Sequence, residues 1–496
     1  MVLANLRQFA LEQAERGVAV RHVGGDGLYS EILRPVIEEL GVLKVMRPAE
    51  YELRADLRPL FESGGLQEVT HEGWLTTEEQ FRDSHDGPPW RMDAFYRHVR
   101  RESGILMEHG KPVGGKFSFD AENRLRWAGK PHAPTLPTFK PDEITEEIDE
   151  LVERDFARHP GTLRLDMLPA TKGDAERIWK WAKKECLPLF GPYEDAMSVK
   201  SRNLFHTRIS ALLNLHRLTP AQILRDTIEL EIPFASKEGF VRQVLGWREF
   251  MHHVHEATEG FRVVGGKKTR VAELPGDGGL AGWSEKEWPS VKGAAGGVDG
   301  GACPSQLGAK EPVPPALWGE RSGLHCLDEV VKGVWDEAYG HHITRLMVIS
   351  NIATLLGISP RDLTDWFWVA YADAYDWVVE PNVLGMGTYG LGDLFTTKPY
   401  ISGAAYIDRM SDFCESCAFD PKKNCPITPM YWAFLERQRD KLGKNIRMAM
   451  PYRSLDKRSA AKKREDAKTF ERVRERLRTG KSLVDAEEDE QQGLMS

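Results

Sequence analysis

The sequence predicts a two-part fold: an α/β unit of Rossmann-like character over residues 1–87, lacking its first strand, and a large all-α domain over 142–496, joined by a connector at 88–141. Three observations carry this. Helix and strand patterns alternate before residue 70, whereas beyond Asp142 apolar positions recur almost only at helical spacing. A Pro-rich run at 130–141 separates the two regimes. A chain of 496 residues, 41% hydrophobic and 29% charged, can bury more than one core.

Amphipathic periodicity places helices over 5–16, 30–40 and 55–61, and β-branched or alternating runs place strands over 18–23, 43–46 and 66–69. Such alternation builds a small parallel sheet with helices on its faces. In the connector, Phe95, Tyr96 and Val99 stand at helical spacing and read as packing residues. The helical domain is expected to hold helices over 174–185, 220–230, 238–253, 326–356, 360–377, 431–442 and 459–477. A Gly- and Pro-rich insertion at 258–315 interrupts it and is expected to be disordered, with Cys303 a bystander. The last helix, drawn over 453–481, carries 12 Lys and Arg against 5 Asp and Glu, which suits a solvated face or a polyanion contact.

The net charge of −8 does not mark a nucleic-acid binder, but a local basic face is all that binding requires. No apolar run approaches the roughly 18 residues that span a bilayer. The first residues lack the cationic start and apolar centre of a signal peptide, so a cytoplasmic monomer without a membrane partner is expected.

Six cysteines are too few for a disulfide framework in a chain of this length. They are clustered, however: Cys414-Glu-Ser-Cys417 is followed by Cys425, with Cys326 upstream. Two thiolates three residues apart chelate one centre, and a third close by can cover it. Four thiolates suit tetrahedral zinc or an iron-sulfur cluster, and spacing does not separate the two. Cys186 stands apart and reads as a core thiol.

Between these thiols lies Ala338-Tyr-Gly-His-His-Ile-Thr-Arg-Leu-Met347. On one helix His341 and Arg345 are a turn apart and His342 is three residues from Arg345, so all three can face one cavity. They would meet either a polar or anionic cofactor or a hydrogen-bonded core network. The run Asp365-Trp-Phe-Trp-Val-Ala-Tyr-Ala-Asp-Ala-Tyr-Asp-Trp377 is dense in oxidisable rings, which can pack a core or pass an electron inward. Asn203-Leu-Phe-His-Thr-Arg-Ile-Ser210 offers a phosphate grip, and Arg242-Gln-Val-Leu-Gly-Trp-Arg-Glu249 sets Arg beside Trp.

These residues resemble the cryptochrome/photolyase flavoproteins, specifically the iron-sulfur bacterial branch of prokaryotic (6-4) photolyases and deoxyribodipyrimidine photolyase-related proteins. The matching motifs are Pro112-Val-Gly-Gly with Phe119-Asp-Ala-Glu-Asn-Arg, Gly246-Trp-Arg-Glu, Tyr339 to Met347, Tyr371-Ala-Asp-Ala-Tyr, Pro381-Asn-Val-Leu-Gly-Met, Thr397-Lys-Pro-Tyr400 and Arg409-Met-Ser-Asp-Phe-Cys414. Together they cover the chain to about residue 455, outside the insertion.

The resemblance implies the cryptochrome/photolyase fold, with FAD bound bent in the helical domain. Its pyrophosphate would lie against His206, Thr207, Arg208 and Ser210, and its rings near Gln243, Trp247, Arg248, His341, Arg345, Asp373 and Tyr375. His342 corresponds to the proton donor of (6-4) repair, Trp366 to the ring nearest the flavin, and Trp318 to a further relay. Cys326, Cys414, Cys417 and Cys425 would hold a [4Fe-4S] cluster. The implied activity is light-driven repair of UV-damaged DNA, in which photoexcited reduced FAD lends an electron to a flipped-out photoproduct. Arg242, Arg248 and the last helix would supply a basic rim for the phosphates. The alternative is a cryptochrome-like photoreceptor that signals without repair.

Three departures from the family pattern stand out. The front of the α/β unit, which would help hold a ribityllumazine antenna, is missing here, which counts against an antenna. Val379 falls where (6-4) members place a glutamate facing flavin N5, with Glu380 one step along. Phe367 replaces a tyrosine after Trp366, leaving Trp368 as the substitute relay.

Overall fold

Leu43–Met46 and Leu66–Val69 pair in parallel, with Leu43 opposite Leu66 and Met46 opposite Val69. Leu33 and Ile37 of the helix Tyr29–Leu40 and Leu57 and Leu60 of the helix Tyr51–Glu62 close over this ribbon. The computed structural model describes the chain except for residues 26, 123, 158, 274–275, 277–278, 280–298, 395 and 486–496. Among the described residues the expected strand over 18–23 pairs with nothing, and Val18 and Val20 are exposed. Alternating β-branched residues make a strand only where a neighbouring edge accepts their backbone groups, and no described strand offers one here.

The first helix, Val2–Glu15, leaves the α/β unit and joins the helical part. Ala4 is buried with Ile148, Leu168 and Ala170. The Asn5 amide donates to the Pro169 carbonyl at 3.0 Å, and Arg217 forks onto Glu12 at 2.6 and 2.9 Å. In the connector, Phe95, Tyr96 and Val99 of the helix Met92–Ser103 pack on Leu245 and Phe250, as their spacing predicts.

The helical part is built around one large core that includes Leu327, Val348, Leu363, Trp366 and Met430. Two of the expected helices are broken. The span 326–356 divides into His325–Glu337, ending at Ala338 with a left-handed φ of 47°, and a second helix resuming at His342. The span 360–377 divides into Pro360–Ala370 and Asp376–Val379. The two breaks lie against each other, the Ala372 N–H donating to the Ala338 carbonyl at 2.9 Å. Periodicity runs on across both because the helices on either side bury their apolar faces in the same core.

Among the described residues four turns have hydrogen bonds reaching five residues back: Ala182–Cys186, Arg242–Arg248, Thr344–Ser350 and Glu380–Gly387. Such turns widen a helix and re-aim its side chains. The last three supply walls of the cavity described below.

The insertion is ordered at both ends, contrary to expectation. Val263–Val264 pairs with Lys267–Lys268, Val271 bridges to Ala302, and Phe261, Ala302 and Leu307 are buried. Arg262 joins this segment to the α/β unit, 2.9 Å from Glu52 and 2.5 Å from Asp299. These buried apolar groups and paired charges offset the ordering entropy that a Gly-rich composition raises. The middle of the insertion, 280–298, lies outside the described residues. The span 453–481 also divides, into the end of Ala449–Asp456 and the helix Ala460–Arg478, which Ser459 caps and whose Phe470, Val473 and Leu477 are buried. No helix among the described residues is long and apolar enough to cross a membrane.

Candidate active site

A cavity of about 320 Å³ adjoins a second of about 250 Å³, and Thr207, Ser210, Gln243, Asp373 and Asn382 line both. The loop before the helix Ser210–Asn214 turns through left-handed Leu204 and Arg208, with φ of 44° and 57°, and thereby presents His206 and Thr207 to the space. Arg208 lies 4.0 Å over the Tyr339 ring and 2.5 Å from Glu337. His206 stacks on His341 with ring centroids 4.2 Å apart, and the His342 ring stands edge-on to His206 at 5.5 Å.

Burial pushes the pKa of His206 and of His341 well below the ordinary imidazole value, and neighbouring imidazoles add to the effect, so both rings are neutral. His206 Nε2 and His341 Nδ1 are buried without a hydrogen-bond partner. A neutral ring with an unanswered nitrogen costs free energy unless a bound molecule meets it. The three imidazoles have ring nitrogens within 4.8 Å of one another, a set that could also ligate a metal ion.

One turn beyond His341, Arg345 forks onto Asp373 at 3.0 and 2.9 Å and lies 4.1 Å over Tyr371. Burial opposes its charge, but the Asp373 carboxylate outweighs burial and raises the pKa. Gln243 donates to Glu194 at 2.6 Å. In the second cavity Trp247 and Arg248 form the far wall. Arg248 is sandwiched 4.2 Å from the Trp74 ring and 5.2 Å from Trp377, and its Nε and Nη2 have no partner.

Away from the cavity, Cys326 opens the helix His325–Glu337, Cys414 lies in the turn Phe413–Ser416 that Cys417 follows, and Cys425 precedes the helix Ile427–Arg437. The fold gathers these four sulfurs. Burial raises the Cys326 thiol pKa well above its usual value, and Cys425, Cys414 and Cys417 raise it further.

The first 166 residues match the family model of deoxyribodipyrimidine photo-lyase-related proteins. A (6-4) photolyase of Agrobacterium fabrum is 32% identical over 470 residues, which cover 91% of this chain and 85% of that protein. The chain belongs to the cryptochrome/photolyase family. An uncharacterized protein of Acanthamoeba polyphaga mimivirus is 36% identical over 95 residues, 19% of this chain and 74% of its own. A crystal structure of a bacterial class III photolyase from Agrobacterium tumefaciens superposes at a TM-score of 0.47 with 16% identity, covering 96% of this chain and 86% of that one.

In this photolyase-family chain the first cavity collects His206, Thr207, Arg208, Ser210, Gln243, His341, His342, Arg345 and Asp373, and the second adds Trp247 and Arg248. Tyr375 lines neither; its buried hydroxyl lacks a partner and lies close enough to Glu50 of the α/β unit to feel that charge. Trp366 is not the ring at the wall. Phe367 is, with the fully buried Trp366 edge-on behind it at 5.2 Å.

Trp335 is the ring that sequence reasoning missed. It stands 6.0 Å from Trp366 and 5.4 Å from Trp318, and its indole N–H and that of Trp366 both donate to the Leu317 carbonyl, at 2.9 and 3.0 Å. It also borders an open cavity of about 490 Å³. Trp335 lies far in sequence from the aromatic run at 365–377, so local density could not reveal it. Trp368, the expected substitute relay, points to solvent at 41% exposure.

Val379 lines the cavity as expected. Glu380 turns away, 2.9 Å from His255 and 2.7 Å from Arg361. Arg242 and Arg248 form no basic rim. Arg242 is buried 3.5 Å from both Glu194 and Glu238, and Arg248 is largely enclosed, 2.9 Å from Glu249. Leu346 and Met386 also line the cavity, but apolar wall residues carry no sequence signal that separates them from core.

Proposed function

We propose that this chain is a light-driven DNA repair enzyme of the (6-4) photolyase type, with FAD in the adjoining cavities and a [4Fe-4S] cluster on its four gathered thiols. The observation that carries the reading is the stacked His206–His341 pair, with its unanswered ring nitrogens, lining one cavity together with the Arg345–Asp373 fork. This donor set fits a long cofactor that is polar at its edges and flat in the middle. His206, Thr207, Arg208 and Ser210 would hold its phosphates, Gln243, Arg345 and Asp373 its ring edge, and Trp247 and Arg248 its far end.

When bound and reduced, FAD supplies a photoexcited electron to a flipped-out pyrimidine photoproduct and takes it back. The chain's residues do the rest. Phe240, Leu346, Val379 and Met386 exclude water, and His342 stands at the mouth with its side chain 43% exposed and Asp195 3.9 Å away. Arg345, kept charged by Asp373, orients the ring edge. Val379 offers no hydrogen bond along its wall. Trp366, Trp335 and Trp318 line a route by which reducing equivalents reach the cavity.

The four gathered thiols would supply the four thiolates of the [4Fe-4S] cluster, Cys326 lying near enough to Cys414, Cys417 and Cys425 to feel their charge. Its place suggests a staple between the helix His325–Glu337 and the chain before Ile427–Arg437.

The test is illumination of purified protein with an oligonucleotide containing a (6-4) photoproduct. Wild type should restore the pyrimidines, and His342→Ala should abolish this while flavin absorbance persists. Flavin-loaded, photoreducible protein without repair would refute the enzyme reading in favour of a photoreceptor. Zinc in place of iron and sulfide would refute the cluster.

A further inference from the structure

The two barest large apolar side chains among the described residues stand together, outside the cavities. Ile446 is 85% exposed and Met450 69%. They are one helical turn apart, in the turn Ile446–Met448 and the helix Ala449–Asp456 that continues it. Single apolar side chains on a surface are ordinary, but an adjacent pair this bare asks for a reason. Slippage of the segment is not the reason, because Met448, Tyr452 and Leu455 already supply its buried face.

The segment is fixed in place. Asn445 accepts the Arg447 N–H at 2.9 Å, and its own amide donates to the Thr397 carbonyl at 2.9 Å, which brings the exposed Lys398 alongside. Lys441, Lys444, Arg447 and Arg453 of the segment are also exposed. None of these five cations has a carboxylate within 4.0 Å among the described residues. The nearby Glu436 and Asp456 are both engaged by Arg439, at 3.5 and 2.8 Å. Residues 439–457 carry six Lys and Arg against two Asp in a chain whose net charge is −8, so the positive character is local.

We infer that this segment is a duplex-opening contact: the unpaired cations sit on DNA phosphates, and Ile446 with Met450 presses into the base stack at the lesion. The inference rests on the DNA-repair reading above. An apolar wedge of Ile or Met framed by Lys and Arg is the chemistry that unstacks a base step, since the cations hold the backbone while the wedge replaces lost stacking. Extruding a nucleotide costs unstacking free energy, and a side chain that fills the gap offsets part of it. A protein partner fits less well. Stable interfaces bury about 800 Å² per side around an apolar centre, and two side chains ringed by like charges do not provide that.

The flavin-loaded protein would be titrated in the dark against a duplex with one (6-4) photoproduct, against the same duplex undamaged, and against the lesion in a single strand. The double variant Ile446→Ala with Met450→Ala removes mostly exposed atoms. It should lose about tenfold in affinity for the damaged duplex, little for the undamaged one, and nothing in repair of the single strand, where there is no stack to open. Lys444→Gln with Arg447→Gln should weaken binding to both duplexes and flatten the salt slope by about 1.8.

Wild-type affinity of the apolar double variant for the damaged duplex would overturn the wedge, as would an equal loss on the single strand. Binding of wild type to anionic phospholipid vesicles, lost in that variant, would reassign the patch to a membrane surface. Lesion binding that depends on Ile446 and Met450 in a protein that repairs nothing would sink the proposed activity and leave the wedge standing.

Discussion

Acidification should loosen this protein through His206 and His341 before its ordinary carboxylates titrate. Both rings are buried with pKa values pushed well below the usual imidazole value by desolvation. In the unfolded chain they take up protons near pH 6.5, whereas in the folded chain they do not. The unfolded state therefore binds more protons as pH falls below about 6.5, and stability is lost from there toward the folded pKa, with full stability above that window. Each group contributes about 1.4 kcal/mol per pH unit inside the window, so the pair removes about 3 kcal/mol between pH 7.5 and 5.5. Against a total on the order of 5–15 kcal/mol this is a large fraction. The assay is the urea midpoint of the flavin-free protein at the two pH values, compared with His341→Gln, which cannot titrate. His216 and His253, each pushed down to about 4, add to the drop in both proteins and cancel in the comparison. The variant's drop should be smaller than that of wild type by about half of what the pair contributes. An identical pH dependence in the two proteins would refute the reasoning.

Asp373→Ala leaves Arg345 as an uncompensated buried guanidinium, so stability should fall by about 3–5 kcal/mol and flavin should be lost on purification. Unchanged urea midpoints would mean that water reaches the fork. Trp335→Phe keeps the packing but interrupts the ring chain, so transient absorption should show flavin photoreduction slowed by at least an order of magnitude. Flavin content, and repair by chemically pre-reduced protein, should stay as in wild type; an unchanged photoreduction rate would remove Trp335 from the route.

The polar side of the cavity was legible in the sequence because His206, Arg208, His341, Arg345 and Asp373 interrupt stretches that otherwise read as core, and charge among apolar neighbours needs a partner. The helix breaks at 338–341 and 371–375 were not. Periodicity reports burial rather than hydrogen bonding, and the faces on either side of each break are buried alike. The same blindness placed Arg242 and Arg248 on a rim, since nothing local reveals that Glu194, Glu238 and Glu249 enclose them. Tyr375 went astray for a related reason: it closes the second break, where helical register no longer predicts direction. In the α/β unit, the strand expected over 18–23 had the right composition but no edge to join.

The joined breaks imply that this chain tolerates substitution and loss of residues very differently. A helix advances about 100° per residue, so deleting one residue between Ala338 and His341 would rotate everything from Ile343 to Leu356 by that angle. Arg345 would swing off Asp373, and the Ala338–Ala372 backbone bond would lose its alignment. Exchanging one apolar wall residue for another leaves that register intact. Descendants of this sequence should therefore vary freely at positions such as Leu346 and Met386 while keeping the two short gaps at constant length, an inheritance of spacing more than of residues.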